Sequence, residues 1–307
     1  MDRGPAYIAA CKRESSSVVP QISVVIGVYE DWIPLERCLK SLAEQVNAPT
    51  FEVIVVDDGS SRTIPQQIYG WGACFPFTLL KQSHAGVSVA RNRGIQVSLG
   101  SILLFVDADC QLQPDCLAVL ERSVVNAPQS GCFQLRVAGD LNGVVGRAEE
   151  LRLLTLQKHL LQSDGCIRYL NTAGFAIRRS RINNQDGLFR PDILRGEDTV
   201  LLGELILQHE LPFFLAGAVV KHSIHLSLLE CFRKDIRLAG LSRKADELID
   251  SKGLKIRVNF WERLKIIILM WKESASERLG RQAWFVVLAR QGLQRLCSFS
   301  RFVSRPT

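Results

Sequence analysis

Three short, β-rich apolar runs constrain this chain most: Ile22–Val28 (ISVVIGV), residues 53–56 (VIVV) and residues 102–106 (ILLFV). A strand with one face in water alternates apolar and polar residues, whereas runs this continuous need cover on both faces, as in a parallel sheet between helices. The intervening sequence supplies the helices. Residues 34–45 (PLERCLKSLAEQ) carry Pro in a first-turn position and apolar residues at helical spacing, and 86–97 form a second helical stretch after a weaker strand at Phe77–Lys81. Strand–helix alternation of this kind predicts an α/β fold with an open, mostly parallel sheet. Ligands of such sheets bind beyond the carboxyl ends of the strands.

Two of those strand ends carry paired carboxylates: Asp57-Asp58-Gly59-Ser60 and Asp107-Ala108-Asp109. An Asp-x-Asp triplet alone says little, and both sites also read as turn formers and solvated strand ends. Their shared location gives them weight. Carboxylates at i and i+2 across a strand end can hold Mg²⁺ or Mn²⁺ together with phosphate oxygens. Downstream, Arg195-Gly196-Glu197-Asp198 opens an apolar helical run at 199–208, and on local sequence alone the N-cap is the better reading of Asp198.

Other classes are excluded or disfavoured. Nine cysteines without a CxxC pair, spread over 307 residues, indicate neither a disulfide framework nor a zinc site. No Gly-x-Gly-x-x-Gly follows the first strand, which disfavours a nicotinamide enzyme. Residues 21–45 lack the glycine- and lysine-rich loop of a sugar-1-phosphate nucleotidylyltransferase, and the triplet continues Cys110-Gln111, unlike that of a haloacid-type phosphatase. The N-terminal apolar stretch spans six residues, too short for a signal-peptide core, and no run approaches eighteen apolar residues. The expectation is an intracellular, cytoplasmic protein.

Charge is unevenly placed. Residues 251–307 hold twelve Lys/Arg against three Glu, a local +9, which leaves the rest of this +7 chain at −2. A near-neutral body with a basic tail points to an anionic partner. In the tail, 254–270 (LKIRVNFWERLKIIILM) and 281–302 mix bulky apolar residues with recurring Lys or Arg. They read either as helices packed on the body or as helices lying in the headgroup region of an anionic membrane. The expected organisation is a flexible leader at 1–20, a catalytic domain at 21–240 and a basic amphipathic helical segment at 241–307.

The segments ISVVIGVYED, EVIVVDDGSS, HAGVSVARNRGI, GSILLFVDADC, FAIRRS with RGEDTVLLGELI, and AVVKHS, in that order, resemble the family 2 glycosyltransferases over about residues 21–240. The resemblance implies a GT-A fold and transfer of a sugar from a nucleotide-diphosphate sugar, UDP by default, with inversion at the anomeric carbon. It places Val28, Tyr29 and Glu30 in the nucleotide pocket, Asp57 near base or ribose with Asp58 beside it, and Arg91 at base or phosphates. Asp107 and Ala108 fall beside sugar and ribose. Asp109, with Asp107, becomes the ligand of Mg²⁺ or Mn²⁺, and His222 a second one. Asp198 becomes the catalytic base and Glu197 its neighbour at the acceptor, with Asn171, Thr172 and Gly174 on the acceptor side. The implied partners are the donor and a glycan or lipid-linked acceptor in envelope, glycolipid or polysaccharide synthesis. An anionic membrane surface is a further partner through the tail, at the cytoplasmic face, and nucleic acid is not. Local chemistry leaves two roles open: Arg91 also reads as a helix-surface ion-pair residue, and His222 as a satisfied histidine at a strand end. The sequence departs from the family pattern at Gly27-Val28-Tyr29-Glu30, Arg62 and His84, positions that bear on base and sugar preference. The competing reading is a binding-only basic protein on a degenerate GT-A scaffold.

Overall fold

The computed structural model describes residues 8–11, 19–182, 187–224, 226–254, 256, 258–276 and 279–303. The first half runs β1 (Ile8–Cys11), β2 (Ile22–Val28), α1 (Trp32–Ala43), β3 (Phe51–Asp57), α2 (Gln66–Tyr69), β4 (Phe77–Lys81), α3 (Val87–Val97), β5 (Ile102–Asp107), β6 (Cys110–Leu112) and α4 (Cys116–Asn126). The second half runs β7 (Cys132–Gly139), α5 (Gly143–Leu160), β8 (Phe175–Arg178), α6 (Glu197–Leu207), β9 (Phe213–His222), α7 (Leu228–Leu238), α8 (Arg243–Ser251), α9 (Phe260–Glu273) and α10 (Arg281–Val303).

The strands form one sheet in the order β1-β4-β3-β2-β5-β8-β7-β9-β6. Its β4-β3-β2-β5 part is parallel, as expected from the apolar runs, while β8 and β6 enter antiparallel, so the sheet as a whole is mixed. Period-two alternation distributes the runs between two cores. Val24 and Ile26 of β2, Val53 and Val55 of β3, and Leu104 and Val106 of β5 meet Leu35 and Leu39 of α1. Val25, Ile54, Val56, Leu103 and Phe105 point the other way, toward Ala90 of α3 and Leu201 of α6.

The N-terminal end differs from expectation. Ile8–Cys11 pair antiparallel with β4, so the 1–20 leader contains a strand, and its other residues through 18 lie outside the described ones. The basic segment packs on the body, one of its two expected forms. Ala245 and Ile249 of α8 join the second core, and Ile266 and Met270 of α9, with Ala283 and Val287 of α10, bury against Ala148 and Leu151 of α5 in a third. Its apolar stripes thus find partners on the body, which is the usual fate of an amphipathic helix. Among the described residues, no helix is long and apolar enough to cross a membrane.

Candidate active site

Register places the carboxylates. Val28 pairs with Asp57 and Gly27 with Asp107, which sets both acids at the carboxyl ends of the strands flanking β2. Antiparallel pairing of Cys110 with His222 sets Asp109 beside the end of β9. The expected residues separate into four local groups.

At the β2–β3 ends, Asp57 is fully buried. Its Oδ1 accepts the Ser60 N–H at 2.8 Å, while Oδ2 has no hydrogen-bond partner and sees only the Lys81 ammonium at 3.4 Å. Asp58 acts within the protein: its carboxylate accepts the Ala85 and Gly86 N–H groups, both at 2.9 Å, and the Gln82 side chain at 2.7 Å. The anion at the α3 N-terminus is therefore Asp58 itself, which replaces the expectation that this helix end faces a ligand and that Asp58 touches the nucleotide. Gly59, at φ +81°, permits this approach, since a Cβ there would lie 2.5 Å from the His84 nitrogen. Glu30 holds the next turn by accepting Ser61 N–H and O–H at 2.6 and 2.7 Å, and these bonds lower its pKa. The exposed Tyr29 ring lies 4.4 Å from that of His84. Val28 and Ala108 are buried, so their side chains offer a ligand nothing.

The second group joins distant segments. Arg91 of α3, with a side chain only 3% exposed, donates to Asp107 at 2.7 Å and to Glu197 at 2.9 Å, and its guanidinium lies over Phe189. Burial alone would lower its pKa, but Asp107 and Glu197 outweigh that and raise it. Both ends of its fork are thus committed, and Arg91 positions two acids instead of reaching toward phosphate. Glu197 opens α6 behind Gly196, which takes the N-cap position at φ +86°. Asp198 is not the cap; it is the second helical residue, and its Oδ1 accepts the Thr199 N–H at 2.8 Å. Burial, then repulsion from Glu197, raises the Asp198 pKa to about 6.

In the third group, His222 Nε2 lies 3.1 Å from Asp109 Oδ2, and its Nδ1 lies 3.9 Å from Glu149. Burial opposes the charged ring, but bonding to Asp109 and Glu149 prevails and pushes the His222 pKa up to about 10. The partnership with His222 likewise overcomes burial to lower Asp109. Carboxylate oxygen and imidazole nitrogen at this spacing fit adjacent positions of a six-coordinate cation, whose octahedral edge is about 3 Å for bonds of about 2.1 Å. Among the described residues no group of three or more His, Cys, Asp or Glu surrounds one point, so a cation here would need phosphate or water to complete its shell. Asp109 and His222 line a cavity of about 560 Å³ that also takes Asp31, Arg195, Lys234 and Arg290.

The fourth group borders a separate cavity of about 460 Å³, lined by Asp198 and Asn171 and walled by apolar side chains of α5, α6 and α9. Arg152 and Gln291 line both cavities, so the two adjoin. Asn171 accepts from Ala173 and donates to the Tyr169 hydroxyl. Thr172 and Gly174 do not reach a surface: both are buried in the turn Thr172–Gly174, where the Gly174 carbonyl accepts from Gln134. That burial removes them from the acceptor side.

Several residues here escape sequence reasoning. Glu149 and Arg152 pair on α5, Arg168 pairs with Glu262, and Arg290 holds Asp235 at 2.7 and 3.1 Å. No local signal marks Glu149 and Glu150, which lie in a helix that also carries Arg147, Arg152, Gln157, Lys158 and His159: Glu150 caps the end of β7 through the Gly139 N–H, and Glu149 faces His222.

A sequence model described as glycosyl transferase family 2 matches residues 23–186. The uncharacterized glycosyltransferase YibD of Escherichia coli is 37% identical over 95 residues, which make up 31% of this chain and 27% of that protein. The matched regions span about a quarter to a third of the length of the first curated relatives. Among solved structures, mannosyltransferase PcManGT from Pyrobaculum calidifontis, in complex with GDP-Man and Mn²⁺, aligns with a TM-score of 0.60 at 15% identity over 92% of this chain and 88% of that one. S. aureus TarS 1-349 in complex with UDP aligns at 0.55 and 18% identity over 93% and 92%. The fold is therefore that of the GT-A glycosyltransferases, and the chain belongs to glycosyl transferase family 2.

Proposed function

We propose that this protein transfers a sugar from a nucleotide-diphosphate sugar to an acceptor hydroxyl with inversion, and that Asp198 is the base. The observation that carries the reading is the Asp107–Arg91–Glu197 bridge, which ties a strand-end carboxylate to the residue before Asp198. A group with pKa near 6 is ionised at neutral pH yet basic enough to take a proton from a hydroxyl as it attacks. Arg91 fixes the separation of that base from Asp107, to which this reading gives the donor sugar and ribose. The buried Asp57 Oδ2, which faces the Lys81 ammonium but has no hydrogen-bond partner, is suited to accept from an N–H of the base or an O–H of the ribose. Tyr29 and His84 offer an exposed ring surface against which a base can stack.

Asp109 and His222 would hold Mg²⁺ or Mn²⁺, which when bound neutralises charge on the departing diphosphate. The His222 proton has to leave for this, so cation binding competes with protons. UDP-sugar is the default donor; the likeness to complexes with GDP-Man and with UDP supports a nucleotide-sugar site without choosing between them.

Acceptor delivery sets the location. The face of α9 turned away from the body exposes Trp261, Leu264, Ile268 and Trp271, with Lys265 and Lys272 along it. This face is suited to the headgroup region of an anionic, cytoplasmic leaflet. The function is tested by thermal shift with UDP-, GDP- and dTDP-sugars, with and without Mn²⁺. A cation-dependent rise with one nucleotide class is expected. Stabilisation without turnover of any sugar nucleotide would favour the binding-only scaffold.

A further inference from the structure

We infer that Glu149 is the positioning residue of the cation site: its carboxylate, on the other side of the His222 ring from Asp109, holds that ring so that Nε2 faces the cation. This rests on the reading of Asp109 and His222 as cation ligands given above. An imidazole turned half a rotation about χ2 presents carbon where it presented nitrogen, and only its surroundings choose between the two. On one side of His222, Nε2 lies 3.1 Å from Asp109 Oδ2; on the other, Nδ1 lies 3.9 Å from Glu149 Oε1. At 3.9 Å Glu149 acts as a negative charge instead of through a short hydrogen bond, and that charge favours the proton on Nδ1. A ring that carries its proton there keeps its lone pair on Nε2, beside the Asp109 oxygen, and those are the two atoms a cation takes up.

The fold delivers Glu149 to this spot. His222 pairs with Cys110 of β6 on one flank and with Gly139 of β7 on the other. Helix α5 is pinned against that second flank, because Glu150 Oε2 accepts the Gly139 N–H at 2.7 Å. Two glycines allow so close an approach: a Cβ on Gly139 would collide with the Glu150 backbone, and one on Gly146 with the Asp140 carbonyl. Glu149 is the residue before Glu150, and Arg152 grips its two oxygens with hydrogen bonds of 2.5 and 3.0 Å, which leaves the carboxylate one orientation. A pair at i and i+3 that serves only its own helix lies on the solvent face. This carboxylate does not: its side chain is 8% exposed, and it lines the cavity that holds Asp109 and His222.

The test reads the cation instead of turnover. Mn²⁺ alone is titrated into the whole chain by electron paramagnetic resonance, and the electron spin-echo modulation of bound Mn²⁺ reports whether a nitrogen coordinates it. The parent should show nitrogen coordination that His222→Gln lacks. Glu149→Gln should bind Mn²⁺ about ten- to a hundredfold more weakly and lose most of the nitrogen modulation. If an unpaired Arg152 keeps that variant from folding, Glu149→Gln/Arg152→Met, which leaves no guanidinium without its partner, should show the same two losses. Glu150→Gln is the control. Gln can still accept the Gly139 N–H, so α5 stays pinned, and this variant should keep the parent affinity and modulation even though the lost charge opposite Arg136 lowers its Tm. Parent affinity with undiminished modulation in Glu149→Gln would overturn the inference and leave Glu149 as the partner of Arg152 alone. Equal losses in Glu150→Gln would also overturn it, by tracing them to the seating of α5. A parent that binds Mn²⁺ without nitrogen coordination would refute His222 as a ligand, and the inference with it.

Discussion

Replacing Asp198 by Asn should stabilise the fold while abolishing transfer. The Asn oxygen can still accept the Thr199 N–H, so the start of α6 is preserved. What disappears is a carboxylate held in a place that disfavours its charge. Burial and Glu197 raise the pKa from 3.8 to about 6, and a difference of this size corresponds to about 3 kcal/mol of destabilisation once the group is ionised. Below about pH 3 both folded and unfolded chains hold the proton, and the group costs nothing. Between pH 4 and 6 the unfolded chain releases it first, so the parent loses stability across that window and stays lower above it. The variant has no such loss. Its advantage should grow from about 0.5 kcal/mol at pH 4 to about 3 kcal/mol at pH 7, or about 5 °C in Tm for a chain of this length. Urea unfolding at the two pH values measures the difference. Equal stability of parent and variant at both would refute the argument, because it would mean the carboxylate sits in an ordinary environment.

The same group makes kcat of the parent rise with pH through about 6 and level off above it, since only the ionised carboxylate accepts a proton; a flat profile from pH 5 to 8 would exclude it as base. Arg91→Ala should cost about 3–5 kcal/mol in urea unfolding by leaving Asp107 and Glu197 unpaired, and should move the acid limb of the profile to higher pH by removing a cation that lowers the Asp198 pKa. Gly59→Ala should cost at least about 2 kcal/mol, because φ is +81° and the new methyl meets the His84 backbone nitrogen. Co-sedimentation with anionic vesicles should weaken with salt and in Trp261→Ser/Trp271→Ser. Truncation at residue 251 cannot serve as the control, because α9 and α10 complete a core with α5 and the shortened chain should misfold.

The parallel half of the sheet was legible because its strands are buried on both faces and therefore read as continuous apolar runs. The mixed half was not: Phe175–Arg178 is four residues long, and Cys110–Leu112 is three, too short to show periodicity. Strand-end carboxylates were legible from position, but their division of labour was not. Nothing local distinguishes Asp57, whose buried Oδ2 faces Lys81 without a hydrogen bond, from Asp58, which holds the α3 N-terminus. Asp198 as a cap failed because Gly196, left-handed and two residues earlier, takes that position. Arg91 was legible as a site or ion-pair residue, but its two acidic partners, 16 and 106 residues away, were not. The tail's amphipathicity was visible, and only tertiary packing could show that one of its faces completes a core while another borders the cavity containing Asp198.

The central claim, inverting transfer with Asp198 as base and a cation at Asp109 and His222, is tested most directly by following the anomeric proton of a sugar nucleotide by NMR with Mn²⁺ present. The parent should release nucleoside diphosphate and form a product of inverted configuration, while Asp198→Asn and Asp109→Asn, both folded, should leave the donor intact. Retained configuration, or release by Asp198→Asn at the parent rate, would contradict the account.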